Sequence, residues 1–324
     1  MKKVVFIVVG CLVLLLILGV VFFSNLRNPD DNINQDNGNG DSDNPVVTDS
    51  SLIRYNKISP GYNGMIINVW LEDQKVLDKM RENNMKYLFV DVGDTAKNGR
   101  LKTSDEDIEH FLDKIKSYES ANNFDFVLLP YSEIMLTDYD LTSPGFEDNF
   151  VNDYNRLIET GFDGIHVDIE AIPSEQRGDY LRLLERLGRE VPKNKFVSVY
   201  PGTIAVEGET NSVWVWSLNY YQQVADRADI VSVSGYDSGS DSEQEYEDYL
   251  NEQINAILSR EWNTNLFFTV PTHKSAPETL DNSFEAYSDA FDDSDGKNPF
   301  TGISVFAEWT TDDNEWRKIS NFIE

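Results

Sequence analysis

From about residue 55 onward the chain alternates between short apolar runs and longer amphipathic stretches. The runs are MIINVW from Met65, YLFVDVG from Tyr87, FVLLPY from Phe126, GIHVDIE from Gly164, FVSVYP from Phe196, IVSVSGYD from Ile230, LFFTVP from Leu266 and GISVFAEW from Gly302. Near-continuous β-branched and aromatic character marks strands buried on both faces, as a parallel sheet requires. The stretches between them read as helices. Ser104 with Asp107 three residues later forms a capping box, and Ile108, Phe111, Leu112 and Ile115 follow on one helical face. His110 lies off that stripe and is assigned to solvent. Further on, Leu181, Leu184 and Leu187 recur at three-residue steps in a charged sequence. Eight strands alternating with helices over residues 55–324 predict an α/β fold, the (β/α)8 TIM barrel. An open doubly wound sheet is the competing architecture. It usually has fewer strands, and neither GxGxxG nor GxxxxGKS/T is present.

The pattern before residue 55 is different. Residues 4–23 are an unbroken apolar run of 20, long enough for a helix to cross a hydrocarbon layer of roughly 30 Å. Lys2 and Lys3 precede it, so residues 1–27 are expected to be a membrane anchor with the rest of the chain outside the cell. A cleaved signal peptide is the rival, but the run is longer than an ordinary signal core and no small-residue cleavage site stands at its end. Residues 28–54, rich in Asn, Asp, Gly and Ser, have too few large apolar groups to offset the entropy of ordering and are expected to be a flexible tether. Residues 55–324 then form the folded domain.

Composition narrows the partners. The net charge is −30, and residues 1–27 contribute three basic and no acidic groups, so the remainder holds 24 basic against 57 acidic groups, a net of −33. Nucleic acid and anionic lipid are poor partners for such a surface, while a neutral or cationic polymer is compatible. The single cysteine, Cys11, lies in the apolar run, which leaves the outer part without an internal disulfide or a cysteine-built metal site.

The fourth run carries the chemistry. His166, Asp168 and Glu170 occupy every second position between Ile165, Val167 and Ile169, so the three ionisable groups share one strand face. In a barrel that face points inward, and Glu170 ends the strand at the open mouth, where barrel enzymes place their sites. Two neighbouring carboxyls disfavour simultaneous ionisation, which raises one pKa and suits it to donating a proton. A glycosidase needs that acid to protonate the leaving oxygen of a sugar.

DGIHVDIE, Asp163 to Glu170, resembles the strand-four signature of glycoside hydrolase family 18, the chitinases and related enzymes, usually written DGxDxDxE. The resemblance implies an external hydrolase of β-linked N-acetylated glycans that needs no metal or other cofactor. Glu170 would be the catalytic acid/base, Asp168 would orient the substrate's acetamido group, and Asp163 would be structural. His166 stands where the family has its middle aspartate, so the proton arrangement differs; it is a candidate to hydrogen-bond Asp168 and line the substrate site, the alternative being a packing histidine deep in the barrel. VSGYDSG is similar to the family's strand-six MxYD motif, with Tyr236 and Asp237 matching the residues that contact the acetamido group and the reacting sugar, and Ser234 in place of methionine. GISVFAEWT resembles the family's last strand, placing Phe306 where a tryptophan floors the sugar and leaving Trp309 as a second stacking surface. LLPYSE, at the third strand, lacks the serine-and-glycine pattern of chitinases.

Asp91, Tyr131, Tyr200 and Glu308 sit near other strand ends and are candidates to line the cleft. Trp214 and Trp216 are expected to pack rather than bind. His273 follows the seventh strand near the mouth, but His166, His273 and carboxylates show no recognised metal-ligand spacing. A carbohydrate-binding protein on the same scaffold, inert because His166, Pro130 and Phe306 replace family residues, is the alternative function.

Overall fold

All eight apolar runs form strands. They are β1 (Asn63–Asn68), β2 (Met85–Asp91), β3 (Val127–Tyr131) and β4 (Gly164–Glu170), followed by β5 (Phe196–Tyr200), β6 (Ile230–Ser234), β7 (Asn265–Pro271) and β8 (Phe300–Phe306). In this computed structural model the described residues are 56–135, 139–205, 212–292 and 298–323. The expected membrane segment and tether lie outside them. Among the described residues no helix is long and apolar enough to cross a membrane. All described residues fall within one compact unit, Thr48–Glu324.

The strands lie in one curled parallel sheet in the order β3-β2-β1-β8-β7-β6-β5-β4, with a ninth, two-residue strand, Ile134–Met135, added beside β4. This order and the alternation with helices are consistent with a TIM-like barrel. The outermost long strands, β3 and β4, meet at their entrances. Asp163 N–H donates to the Leu128 carbonyl at 2.8 Å, and the Asp163 carboxylate accepts the Leu128 N–H at 3.1 Å. Lys195 holds the same carboxylate from the start of β5 at 3.0 Å. Gly164 has a steric reason: a Cβ there would lie 2.1 Å from the Phe196 carbonyl oxygen.

Helices follow the strands: α1 (Gln74–Glu82), α2 (Asp105–Asn122), α3 (Phe146–Thr160) and α4 (Arg177–Glu190), then α5 (Leu218–Ala225), α6 (Glu243–Leu258), α7 (Leu280–Asp292) and α8 (Asp313–Ile323). Oxygen side chains start several of them by accepting a free backbone N–H of the first turn: Asp73 from Lys75, Ser104 from Asp107, Ser217 from Tyr220 and Ser242 from Glu245. The α2 stripe of Ile108, Phe111, Leu112 and Ile115 is buried as expected. On α4 the buried face is Tyr180, Leu183, Leu184 and Leu187, so Leu181 sits at its edge rather than its centre.

Strand alternation sorts the core into two layers. Ile165, Val167 and Ile169 join the large cluster between sheet and helices. Tyr87, Phe89, Leu129, Tyr131, Ile230 and Phe267 fill the interior. Ile58 plugs the floor of that interior. Its N–H donates to Asn265 Oδ1 at 2.9 Å, and the Asn265 amide returns a bond to the Asn56 carbonyl at 2.8 Å. The floor is therefore sealed at the strand entrances, which leaves the strand exits as the open end.

Candidate active site

Register brings the strand ends level. Asn68 pairs with Asp91, Asp91 with Tyr131, Asp168 with Tyr200 and Pro271 with Phe306. Parallel partners project their side chains to the same side of a sheet, so this register gathers Asp91, Tyr131, Asp168 and Tyr200 into one rim.

His166 lies one layer deeper and is 3% exposed. Its Nδ1 pairs with Ser198 Oγ at 2.8 Å, and its ring packs against Phe89 and Tyr131 at centroid distances of 4.7 and 5.5 Å. The expected bond to Asp168 is not formed, because Ser198 is the ladder partner of His166 and takes up the imidazole first. Desolvation pushes its pKa down to about 3, so the ring is neutral at ordinary pH. His166 thus packs beneath the site rather than lining it for substrate.

Asp168 and Glu170 face the mouth. Burial, followed by the charges of Glu170, Glu133 and Asp91, pushes the Asp168 carboxyl far above the usual range. Burial, followed by Glu133 and Asp237, raises Glu170 from 4.5 to about 8. The interaction between the two carboxyls favours the protonated form of Asp168 and opposes part of the rise at Glu170. Asp168 Oδ1 has no hydrogen-bond partner within the described protein. The next residue, Ala171, has φ of 57°, a left-handed conformation that costs an alanine on the order of 1 kcal/mol and turns the chain sharply at Glu170.

Tyr236 and Asp237 approach from β6. The Tyr236 ring stacks on Phe306 at 4.7 Å and on Tyr200 at 6.0 Å, and Trp309, 48% exposed, meets Phe306 edge-on at 5.8 Å. These rings form an aromatic wall that ends in solvent. Gly235 allows this approach, since a Cβ there would lie 2.3 Å from the Thr269 carbonyl oxygen. Asp237 is exposed at the rim. Partial desolvation and then Glu278 raise its carboxyl to about 6 against the pull of His273, a shift that solvent at the rim screens. Asp91 is held by the Gly93 N–H at 2.8 Å and the Asn68 amide at 3.3 Å, yet burial still carries its pKa upward. Tyr131, 6% exposed, lies against Asp91 and Asp168 and is pushed upward by burial first.

Three neighbours have no counterpart among the sequence candidates. Glu133 acts on both Asp168 and Glu170. The Tyr139 hydroxyl reaches the Glu170 carbonyl at 3.5 Å. Glu278 binds the backbone at Asp237. Each sits on a connecting segment, where no periodicity announces it. Of the remaining candidates, Trp216 is 1% exposed and packs on Tyr180 and Tyr220, and Trp214 is half-buried beside it. Glu308 lies near Asp73 and Lys114, away from the two carboxyls. Among the described residues no group of three His, Cys, Asp or Glu side chains is arranged to hold a metal ion.

No protein-family model matches the chain, and no curated protein matches it in sequence. Solved structures do match its shape. A spore cortex-lytic enzyme, SleL, from Bacillus cereus superposes with a TM-score of 0.56 at 12% identity over 83% of this chain and 76% of its own. A class V chitinase from Pseudomonas fluorescens Pf-5 gives 0.55 at 13% over 81% and 100%. The chain has the chitinase-like fold. A xylanase and alpha-amylase inhibitor from Scadoxus multiflorus shares the chitinase-like fold too, with a TM-score of 0.52 at 16% identity over 81% of this chain and 96% of its own. At such identities the likeness concerns fold, and the choice between hydrolase and binder rests on the site.

Proposed function

We propose that the chain is a glycoside hydrolase that cleaves β-linked, N-acetylated glycans of chitin or cell-wall type on a (β/α)8 barrel. The observation that carries this reading is the pair Asp168 and Glu170 at the exit of β4, each pushed toward its protonated form by burial and by surrounding carboxyls. A structural network would not require a proton held at the open end of a strand.

The chemistry follows from these groups. Glu170, protonated at neutral pH, donates its proton to the glycosidic oxygen as the bond to the anomeric carbon breaks. The substrate's acetamido oxygen attacks that carbon from the opposite face and forms a cyclic oxazolinium. Asp168 Oδ1, free of protein partners, accepts the acetamido N–H, and Tyr236 steadies the acetamido oxygen. The Asp168 proton offsets the charge left on Glu170. Glu170 then removes a proton from water as the water opens the ring, which returns the enzyme to its starting state with the anomeric configuration retained. Phe306 and Trp309 supply apolar faces for sugar rings, while Asp237, Asp91 and Tyr131 present polar groups to hydroxyls.

The apolar run at residues 4–23 and the polar stretch at 28–54 support an external domain tethered to the cell membrane, with a polysaccharide rather than nucleic acid as partner. A binding protein without turnover is the second reading. It is favoured by the replacement of the family's middle aspartate with His166, whose imidazole is committed to Ser198 and takes no part in proton sharing. Incubation with chitin oligomers, with the product anomer followed by NMR and a thiazoline mimic of the oxazolinium as inhibitor, separates the two. Retained anomeric configuration and inhibition support hydrolysis, whereas binding with no bond cleaved supports the second reading.

A further inference from the structure

Glu278 lies on the segment between β7 and α7, is 8% exposed, and belongs to none of the motifs discussed above. Three donors from one short stretch converge on its carboxylate. Asp237 N–H donates to Oε2 at 2.9 Å, while Ser238 N–H and Ser238 Oγ donate to Oε1 at 2.7 and 2.6 Å. A fourth group faces it from its own segment. His273 Nδ1 accepts the Ser275 N–H at 3.2 Å, which places the ring proton on Nε2, 3.6 Å from Glu278 Oε2.

What this carboxylate secures is an unfavourable backbone. Asp237 has φ of 56°, a left-handed conformation sparsely populated by residues with a Cβ, and such conformations persist where the surroundings over-determine them. Other restraints flank the turn: Ser234 Oγ donates to the Tyr236 carbonyl at 2.9 Å, the Tyr246 hydroxyl donates to the Gly235 carbonyl, and the Ser240 N–H donates to Ser238 Oγ at 3.1 Å. Glu278 takes the backbone N–H groups of both Asp237 and Ser238 at the centre of the turn. The carboxylate keeps a lowered pKa despite its burial, since these donors outweigh desolvation together.

We propose that Glu278 is a positioning residue for the site: by holding the Asp237–Ser238 turn it sets the Asp237 carboxyl and the Tyr236 ring opposite Glu170. The assignment of a catalytic role to that position rests on the hydrolase reading above; the clamp on Asp237 does not. Because the Glu278 charge lies beside the Asp237 carboxyl, it also tunes that group. The titratable groups facing Asp237 are Glu170 from β4, Glu133 from the segment after β3, Tyr200 from β5, its neighbour Tyr236, Tyr246 and Tyr249 from α6, and Glu278 with His273. Of these, Glu278 is the largest named electrostatic influence on Asp237.

The test compares Glu278→Gln and Glu278→Asp in the full-length chain. Asp237 is titrated by carboxyl 13C NMR and assigned with Asp237→Asn, and turnover is measured with a fluorogenic N,N′-diacetylchitobioside. In Glu278→Gln the Asp237 titration moves to lower pH by at least half a unit, and kcat falls at least tenfold with KM changed less than threefold. Glu278→Asp, which keeps the charge and folds if the glutamine variant does not, restores the titration and part of kcat. Hydrogen-exchange protection of the Asp237 and Ser238 amides that is the same in wild type and Glu278→Gln overturns the clamp, whatever the titration does. If the wild-type chain binds chitobiose without cleaving it, the hydrolase reading fails while the exchange of the Asp237 and Ser238 amides still decides the clamp.

Discussion

Replacing Glu170 with glutamine should make the folded chain more stable at neutral pH. Its carboxyl has a folded-state pKa of about 8 against an ordinary 4.5, so the folded chain holds a proton that the unfolded chain releases. Between those values the folded state binds more protons, and stability falls as pH rises, with the contribution fully present below 4.5 and lost on passing through 8. From 4.5 to pH 7 the interval is about 2.5 units at about 1.4 kcal/mol each, an upper limit of about 3.4 kcal/mol. Solvent at the open mouth and coupling to Asp168 reduce it, leaving about 1–3 kcal/mol. At roughly 2–4 °C per kcal/mol for a domain of this size, the variant should melt several degrees above wild type at pH 7. The difference should vanish near pH 4. Calorimetry at both pH values provides the check. A glutamine variant that is less stable at pH 7, or a gap that widens in acid, would refute the claim that Glu170 is held protonated at a cost to the fold.

Other consequences follow from named contacts. Asp163→Ala removes the carboxylate that accepts the Leu128 N–H and pairs with Lys195, so it should lower stability by about 1–3 kcal/mol, read from the urea midpoint. His166→Gln should flatten the acid limb of the stability curve. With the imidazole pKa lowered to about 3, the unfolded state binds the extra proton below pH 6.5, and the wild-type chain loses up to about 1.4 kcal/mol per unit as pH falls through that window. Denaturant midpoints between pH 4 and 6.5 that fall equally steeply in both proteins would contradict this. Trp309→Ala should weaken oligosaccharide binding by about 3- to 10-fold, on the order of 1 kcal/mol for one exposed aromatic face, with kcat nearly unchanged. Calorimetric titration with chitin oligomers measures it.

How far the sequence foretells the structure depends on the element. The eight long strands were legible because burial on both faces imposes continuous β-branched runs, and the α2 face was legible from its cap and its 3.6-residue stripe. The two-residue strands Ile134–Met135, Thr203–Ile204 and Val215–Trp216 are too short to carry a period. Asp168 and Glu170 were placed at the mouth by alternation and their position at a strand end, whereas Tyr236, Asp237 and Phe306 were singled out by the resemblance of their segments to the family 18 motifs. His166 shows the limit of that logic. Alternation placed it inward correctly, but its partner, Ser198, is fixed by the register between β4 and β5, which the sequence of β4 alone does not contain. Glu133, Tyr139 and Glu278 were invisible for a related reason: they reach the mouth along loops whose paths are set by tertiary packing.

In the proposed reaction Glu170 supplies the proton that breaks a glycosidic bond. Its most direct test is the release of new reducing ends from N-acetylated glycans by the wild-type chain and by Glu170→Gln. The wild type should cleave, and the variant should lose about a thousandfold or more of that activity while still binding the same oligosaccharide. Undiminished release by the variant would contradict it.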